Sequence, residues 1–271
     1  MGGDEFCVLA PVGPEGPEDL AEAAVAALAE HGEGFAVTAS HGSVLLPTEA
    51  SDPSEALSKA DQRMYARKNR SRDSAQDQIT QALVTLVDER SSSLRMHMGA
   101  VAQLCEAVGL ELGLSGAQLT TLRQAASLHD IGKIAVPDAI LNKPGPLSPD
   151  EWELIRGHTL IGERIVRAAP PLAYVAELIR SSHERHDGRG YPDQLAGDDV
   201  PLGARIIAVC DAYDVMSSER PYSAKMTPDA AVEEIRRCAG TQFDPVVVEA
   251  FCAAHAKRRW ERMDDARTSA A

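Results

Sequence analysis

Residues 116–133 read GAQLTTLRQAASLHDIGK. Apolar positions recur at three- and four-residue spacing, as on a helix with one buried face. The stretch closes on a histidine and an aspartate side by side, His129-Asp130, followed by Ile131-Gly132-Lys133. Neighbours on a helix point about 100° apart. Such a doublet faces one point only if both side chains grip the same ion from one edge. An aspartate, with two oxygens, can also bridge a pair of ions. Lys133, four residues after His129, returns to the same face and to the reach of a phosphate oxygen on a metal-bound ester.

The same periodicity extends outward. It recurs in ITQALVTLVDERSS (79–92), LRMHMGAVAQLCEAVGLELG (94–113), SPDEWELIRGHTLIGERIVRAA (148–169) and LAYVAELIRSSHERH (172–186). It continues in PLGARIIAVCDAYDVMSS (201–218), TPDAAVEEIRRCAG (227–240) and DPVVVEAFCAAHAKRRW (244–260). Ser148-Pro149-Asp150-Glu151 and Thr227-Pro228-Asp229 are helix starts. The expected fold is mainly α: a helical bundle with one long irregular loop, preceded by a small α/β segment. Within that segment Phe6–Ala10 reads as a strand, DLAEAAVAALAEHG (19–32) as a helix, FAVTASHGSVLLP (35–47) as a second strand pair or a bulged strand, and 51–70 as an amphipathic helix. The expected division is 1–70 for the α/β part, 71–80 for a linker or connecting helix, 81–260 for the helical body and 261–271 for a tail.

Composition narrows the classes. With 44% hydrophobic residues the chain buries a real core. A net charge of −14 argues against coating a nucleic-acid polymer. A nucleotide substrate stays open, because a bound metal reverses the local field. The five cysteines are scattered, with no C-x-x-C pair, and read as reduced thiols of a cytoplasmic protein. No apolar run approaches the roughly 18 residues of a membrane span, and no signal peptide is expected.

Taken singly, each histidine reads as a hydrogen-bonded core residue. The set changes that reading. His129-Asp130 is followed by His158, then His183-Glu184, then Asp211 in the otherwise apolar IIAVCDAYDVM. A carboxylate there, with no cation beside it in sequence, is costly without a metal or a partner. His186 beside Asp187 reads as a loop hydrogen-bonder. Trp152 and Trp260 read as packing residues, and Lys257-Arg258-Arg259 as a helix C-terminus.

These blocks resemble an HD-GYP domain, a branch of the HD phosphohydrolase superfamily. The match runs from about Ile79 to His255. It includes HDIGK (129–133), LNKPGPLSPDEWELIRGH (141–158), SHERHDGRGYP (182–192), VPLGARIIAVCDAYDVM (200–216), SSERPYS (217–223) and GTQFDP (240–245). The resemblance implies a helical fold holding two divalent metal ions, Fe or Mn in preference to Mg or thiolate zinc. It implies hydrolysis of cyclic di-GMP to pGpG or GMP. It assigns His97, His129, Asp130, His158, His183 and Asp211 as metal ligands, with Asp130 the bridging carboxylate. Asp130 and Lys133 are then catalytic, and Lys133, Gly190, Tyr191, Pro192 and Arg220 bind substrate. The partners implied are a cyclic dinucleotide and GGDEF-domain proteins docking at Gly190-Tyr191-Pro192; a homodimer is compatible with this reading. Two alternatives stand beside it: an HD phosphohydrolase acting on another nucleotide or a phosphomonoester, and a degenerate dinucleotide-binding scaffold.

The chain departs from the family pattern in places. Ser182 stands where a histidine usually precedes the His-Glu pair, predicting a metal held more loosely than its partner. Ser93 stands where three-metal members carry glutamate, so a third metal is not expected. Ser223 replaces a residue that is often basic. Glu184 is expected either to orient His183 or to pair with Arg180 or Arg189.

The first seventy residues resemble the C-terminal half of a GGDEF domain, as in diguanylate cyclases. The resemblance rests on Gly2-Gly3-Asp4-Glu5-Phe6, Ser40-His41-Gly42 and Ala60-Asp61-Gln62-Arg63-Met64-Tyr65-Ala66-Arg67-Lys68. The family's preceding strand, with its second metal aspartate, its phosphate loop and its guanine-contacting helix do not precede Gly2 here. Cyclase activity is therefore not expected. The alternative is a start further upstream with an intact cyclase half.

Overall fold

In the computed structural model, residues 6–13, 16–32, 35–37, 39–218 and 225–268 are described. The chain divides into two compact units, 1–75 and 76–271.

The first unit holds helix α1 (Pro17–Leu28), a two-stranded antiparallel pair β1 (Glu30–Gly32) and β2 (Phe35–Val37), and the start of α2 (Pro53–Arg90). Several expectations shift here. Helix α1 stops at Leu28, and His31-Gly32 lie in β1 rather than at a helix end. Residues 6–10 form no strand, and Phe6, Val8 and Leu9 are exposed. A strand needs a partner ladder, and none among the described residues pairs with this one. Gly42 lies flat on α2, where a Cβ would stand 2.0 Å from the Ala60 carbonyl oxygen. Residues 71–80, read as a linker or a connecting helix, are helical: they fall inside α2. Gly2, Gly3, Asp4 and Glu5 lie outside the described residues.

The described secondary structure of the second unit is helical, apart from one isolated bridge between Ala239 and Phe243, and its elements are joined by turns and one long loop. After α2 come α3 (Ser92–Glu111), α4 (Gly116–Leu128), α5 (Asp138–Leu141), α6 (Pro149–Arg156), α7 (His158–Arg167), α8 (Ala176–Arg180), α9 (Leu202–Ser217), α10 (Pro228–Arg237) and α11 (Pro245–Thr268). Short 3₁₀ turns cover Ile131–Ala135, Pro170–Val175 and Gly197–Asp199. Ser115 with Gln118, and Ser148 with Glu151, form reciprocal capping boxes that start α4 and α6. Thr227 caps α10. Helix α3 packs on α4, α9 and α11. Its buried stripe of Met98, Val101, Cys105 and Val108 meets Leu122, Ala125 and Leu128 of α4, Ile206, Ile207 and Cys210 of α9, and Val247 and Phe251 of α11 in one core. Each large aliphatic side chain buried there contributes about 1.5–3 kcal/mol. This core sets the positions of α3, α4 and α9, from which three of the site's side chains project.

Three expected long helices are each interrupted. The 116–133 stretch leaves the helix after Leu128. The 148–169 stretch divides at Gly157. The 172–186 stretch is helical only over α8 and then becomes the long loop 181–201. Each break carries a site residue. The Lys257-Arg258-Arg259 run lies inside α11 rather than at its end; Lys257 pairs with Glu111 at 2.6 Å.

Candidate metal centre

The break at Leu128 answers the question posed by the His-Asp doublet. His129 caps α4, and Asp130 takes φ −100°, ψ 6°, in the sparsely used region between helix and strand. The turn lets the two side chains converge as a continuous helix would not. Gly132 follows because its backbone lies against α7: a Cβ would stand 1.9 Å from the His158 carbonyl oxygen. That contact brings His158, the first residue of α7, to the doublet. His97 comes from α3, on the same stripe as Val101 and Cys105. Asp211 comes from α9, and His183 from the loop after α8 rather than from a helix.

The six side chains form two triads. His97, His129 and Asp211 make one, and Asp130, His158 and His183 the other; within each, one ligand atom per residue lies within 4.8 Å of the others. Asp130 lies between them. Its Oδ1 is 3.3 Å from His158 Nε2, and its Oδ2 is 3.6 Å from His129 Nε2 and 3.7 Å from His97 Nε2. Asp211 Oδ1 is 3.0 Å from His97 Nε2.

The orientation of the rings decides what these distances mean. His129 donates its Nδ1–H to the Ala126 carbonyl at 2.8 Å, and His158 donates its own to the Ile155 carbonyl at 2.6 Å. A neutral imidazole bonded in this way carries a lone pair at Nε2. Nε2 of His97, His129, His158 and His183, and Oδ1 of Asp130, are all buried without a hydrogen-bond partner. His158 Nε2 and Asp130 Oδ1 thus face each other, lone pair to lone pair. An uncompensated buried carboxylate costs several kcal/mol. Lys133 answers only Oδ2 of Asp130, at 2.6 Å. The remaining donors fit a divalent cation of the kind that imidazole and carboxylate bind together.

The same neighbours set the electrostatics, and they place a proton on His97 that an ion would have to displace. Burial opposes charge on His97, but Asp211, Asp214 and Asp130 outweigh it and hold its pKa up at about 9. Burial and the neighbouring His158 push His183 down to about 3, and burial lowers His129. Asp130 and Asp211 stay below the usual carboxylate range despite their burial, Asp130 through Lys133 and His129, Asp211 through His97 and His129.

The loop 181–201 is built around the second triad. Tyr191 lies parallel to the His183 ring, with centroids 5.1 Å apart and planes 8° apart. Its N–H donates to the His183 carbonyl at 3.2 Å. Gly190 passes so close to Glu184 that a Cβ would stand 2.5 Å from the Glu184 Cα. Glu184 neither orients His183 nor pairs with an arginine. Its Oε1 accepts the N–H groups of Asp193 and Gln194 at 2.6 and 3.0 Å, folding the loop back on itself. Arg180 pairs with Asp193 and Glu163 instead. The His186 and Asp187 N–H groups donate to the Gln242 and Thr241 carbonyls, which ties this loop to the GTQFDP segment. The His186 side chain belongs to neither triad.

Ser182 turns away from a ligand's part. It is 1% exposed, and its hydroxyl donates to the Ile179 carbonyl at 2.9 Å. Trp152, expected to pack, is 46% exposed, with the Arg156 guanidinium over its ring. Arg220 and Ser223, and the side chain of Trp260, lie outside the described residues. One residue was not anticipated. Asp214 Oδ2 accepts the Nδ1–H of His97 at 2.6 Å. Asp211 and Asp214 are three apart on α9 and so share a face. That spacing was the available signal.

A helical bundle that gathers two buried and half-buried His/Asp triads defines a helical protein with a candidate metal centre. The chain belongs to the HD domain family, whose model matches residues 53–247. A second model, described as diguanylate cyclase, GGDEF domain, matches residues 1–74. A cyclic di-GMP phosphodiesterase of Thermotoga maritima is 40% identical over 176 residues, covering 64% of this chain and 48% of that protein. A Vibrio cholerae protein named 3′3′-cGAMP-specific phosphodiesterase 2 is 37% identical over 169 residues, covering 62% and 32%. The chain thus spans about half or less of the length of these curated relatives. An HDG"Y"P protein from Bdellovibrio bacteriovorus shares the fold, with a TM-score of 0.50 at 18% identity over 68% of this chain and 61% of that one. No described helix is long and apolar enough to cross a membrane.

Proposed function

We propose that the chain is a metal-dependent phosphodiesterase that opens a cyclic dinucleotide, cyclic di-GMP in the first instance, to pGpG and GMP. His97, His129 and Asp211 hold one divalent ion, and Asp130, His158 and His183 a second, with Asp130 serving both. Mixed imidazole and carboxylate donors favour Fe or Mn. When bound, the ions supply a nucleophilic water at neutral pH and neutralise charge on the phosphate.

The protein's own groups do the positioning. The Nδ1–H bonds of His129 and His158 to backbone carbonyls fix both tautomers, so the metal-facing lone pairs are set before an ion arrives. Lys133 sets an ammonium beside Asp130, where it meets the charge that builds on a phosphate in the transition state. Tyr191 closes over His183 and sheds water from that side. Its ring is spent on the site, which favours a substrate role for Gly190-Tyr191-Pro192 over partner docking.

The observation that carries this reading is the meeting of unpartnered lone pairs at Asp130. The substrate class rests on the relatives, named for cyclic di-GMP and for 3′3′-cGAMP. The test is product analysis by chromatography of the Mn²⁺-loaded chain with cyclic di-GMP and, separately, with p-nitrophenyl phosphate. Linear pGpG or GMP from the first supports the reading. Turnover of the monoester alone makes the chain a phosphomonoesterase instead.

A further inference from the structure

The proposed substrate carries two phosphates, and the site described so far accounts for one of them. Lys133 is already engaged by Asp130. A further cation is Arg156, at the end of α6 and two residues before His158. Its guanidinium carbon lies 5.5 Å from the Tyr191 ring centroid and 5.9 Å from that of Trp152. Tyr191 in turn stacks on His183. Arg156 is thus one aromatic ring removed from a triad residue. It is exposed, and no carboxylate among the described residues pairs with it. Most other arginines of the described second unit are tied to acids, Arg180 to Glu163 and Asp193 and Arg205 to Asp198 and Asp244 among them. An arginine held by aromatic faces instead keeps its N–H edge free and its rotamers restricted. That edge is a planar donor fork suited to a phosphate. In a chain of net charge −14, a free guanidinium braced one ring away from His183 is where a second anion would be held.

We infer that Arg156, supported by Trp152 and Tyr191, binds the non-scissile phosphate of a two-phosphate substrate. The inference rests on the proposed phosphodiesterase reading and adds a selectivity device to it. A substrate with a single phosphodiester gains nothing from Arg156, and a cyclic dinucleotide gains a second anchor remote from the reacting atoms.

The test compares the Mn²⁺-loaded wild type with Arg156→Gln and Arg156→Lys on cyclic di-GMP and on bis(p-nitrophenyl) phosphate, with thermal unfolding run on each. Arg156→Gln should raise the KM for cyclic di-GMP by about tenfold or more, as for a lost charge-assisted hydrogen bond. Its kcat should stay within about threefold and its use of the small diester within about twofold. Arg156→Lys should fall between. Equal losses on both substrates would mean that Arg156 only braces the Tyr191 loop, and would overturn the inference. So would a KM for cyclic di-GMP that Arg156→Gln leaves unchanged, where the wild type cleaves both compounds. A wild type that cleaves only the small diester contradicts the substrate reading and this inference together.

Discussion

His97 donates its Nδ1–H to Asp214 Oδ2 at 2.6 Å, and so turns its Nε2 toward Asp211 and Asp130. A carboxylate behind a ligating imidazole fixes its tautomer and raises its basicity. Asp214→Asn should therefore weaken metal binding by about 10–100-fold while the fold persists. Acid should act in the same direction. Below the raised His97 pKa of about 9, an ion must displace the proton at Nε2, so affinity falls with pH by up to about tenfold per unit for this one group. Asparagine in place of Asp214 removes part of what holds that proton, and the fall should then begin at a lower pH. Calorimetric Mn²⁺ titrations of both proteins across pH 6 to 9 test this; superimposable curves would remove Asp214 from the account.

Asp130 is asked to serve both triads. Asp130→Ala should empty both, whereas His186→Ala should leave the metal content at the wild-type value. Elemental analysis after desalting decides between this and the reverse pattern, which would mean the ligands are misassigned.

The six candidate ligands were named through the resemblance to HD-GYP domains; His129, Asp130, His158, His183 and Asp211 also stand out in the sequence as a recurring set, and Asp211 as a carboxylate in an apolar stretch, where burial without a partner is expensive. The geometry that unites them was less legible. Periodicity cannot see a helix that stops at Leu128 with no glycine or proline to mark the end. It likewise merges α6 with α7 across Gly157, and runs α8 on into the loop that carries His183. Asp214 was hidden because a carboxylate three residues after another on a helix also reads as solvated surface. Glu184 was read as a partner of side chains, and it binds backbone N–H groups, which leave no mark in the sequence. The expected strand at 6–10 failed for a different reason: an apolar run specifies a strand only where another strand pairs with it.

Gly132 is the closest approach between the doublet's turn and α7. An added methyl would meet backbone atoms of His158 and Gly162, which cannot rotate aside. Gly132→Ala should cost about 1–3 kcal/mol or more and loosen metal binding by displacing His158. Chemical denaturation of the metal-free protein gives the first number and a Mn²⁺ titration the second. An alanine variant equal to wild type in both would show that α7 yields easily.

Ser182 spends its hydroxyl on the Ile179 carbonyl. Ser182→Ala should cost about 1 kcal/mol of stability and leave metal content and turnover unchanged. Loss of one ion from the alanine variant would place Ser182 among the ligands and support the expectation of a loosely held metal on its account.

The most direct test of the central claim is anomalous scattering from crystals grown with Mn²⁺, recorded near the manganese absorption edge. The account predicts two peaks, one within the His97, His129 and Asp211 triad and one within the Asp130, His158 and His183 triad, with Asp130 between them. A single peak away from Asp130, or none at saturating Mn²⁺, would contradict it.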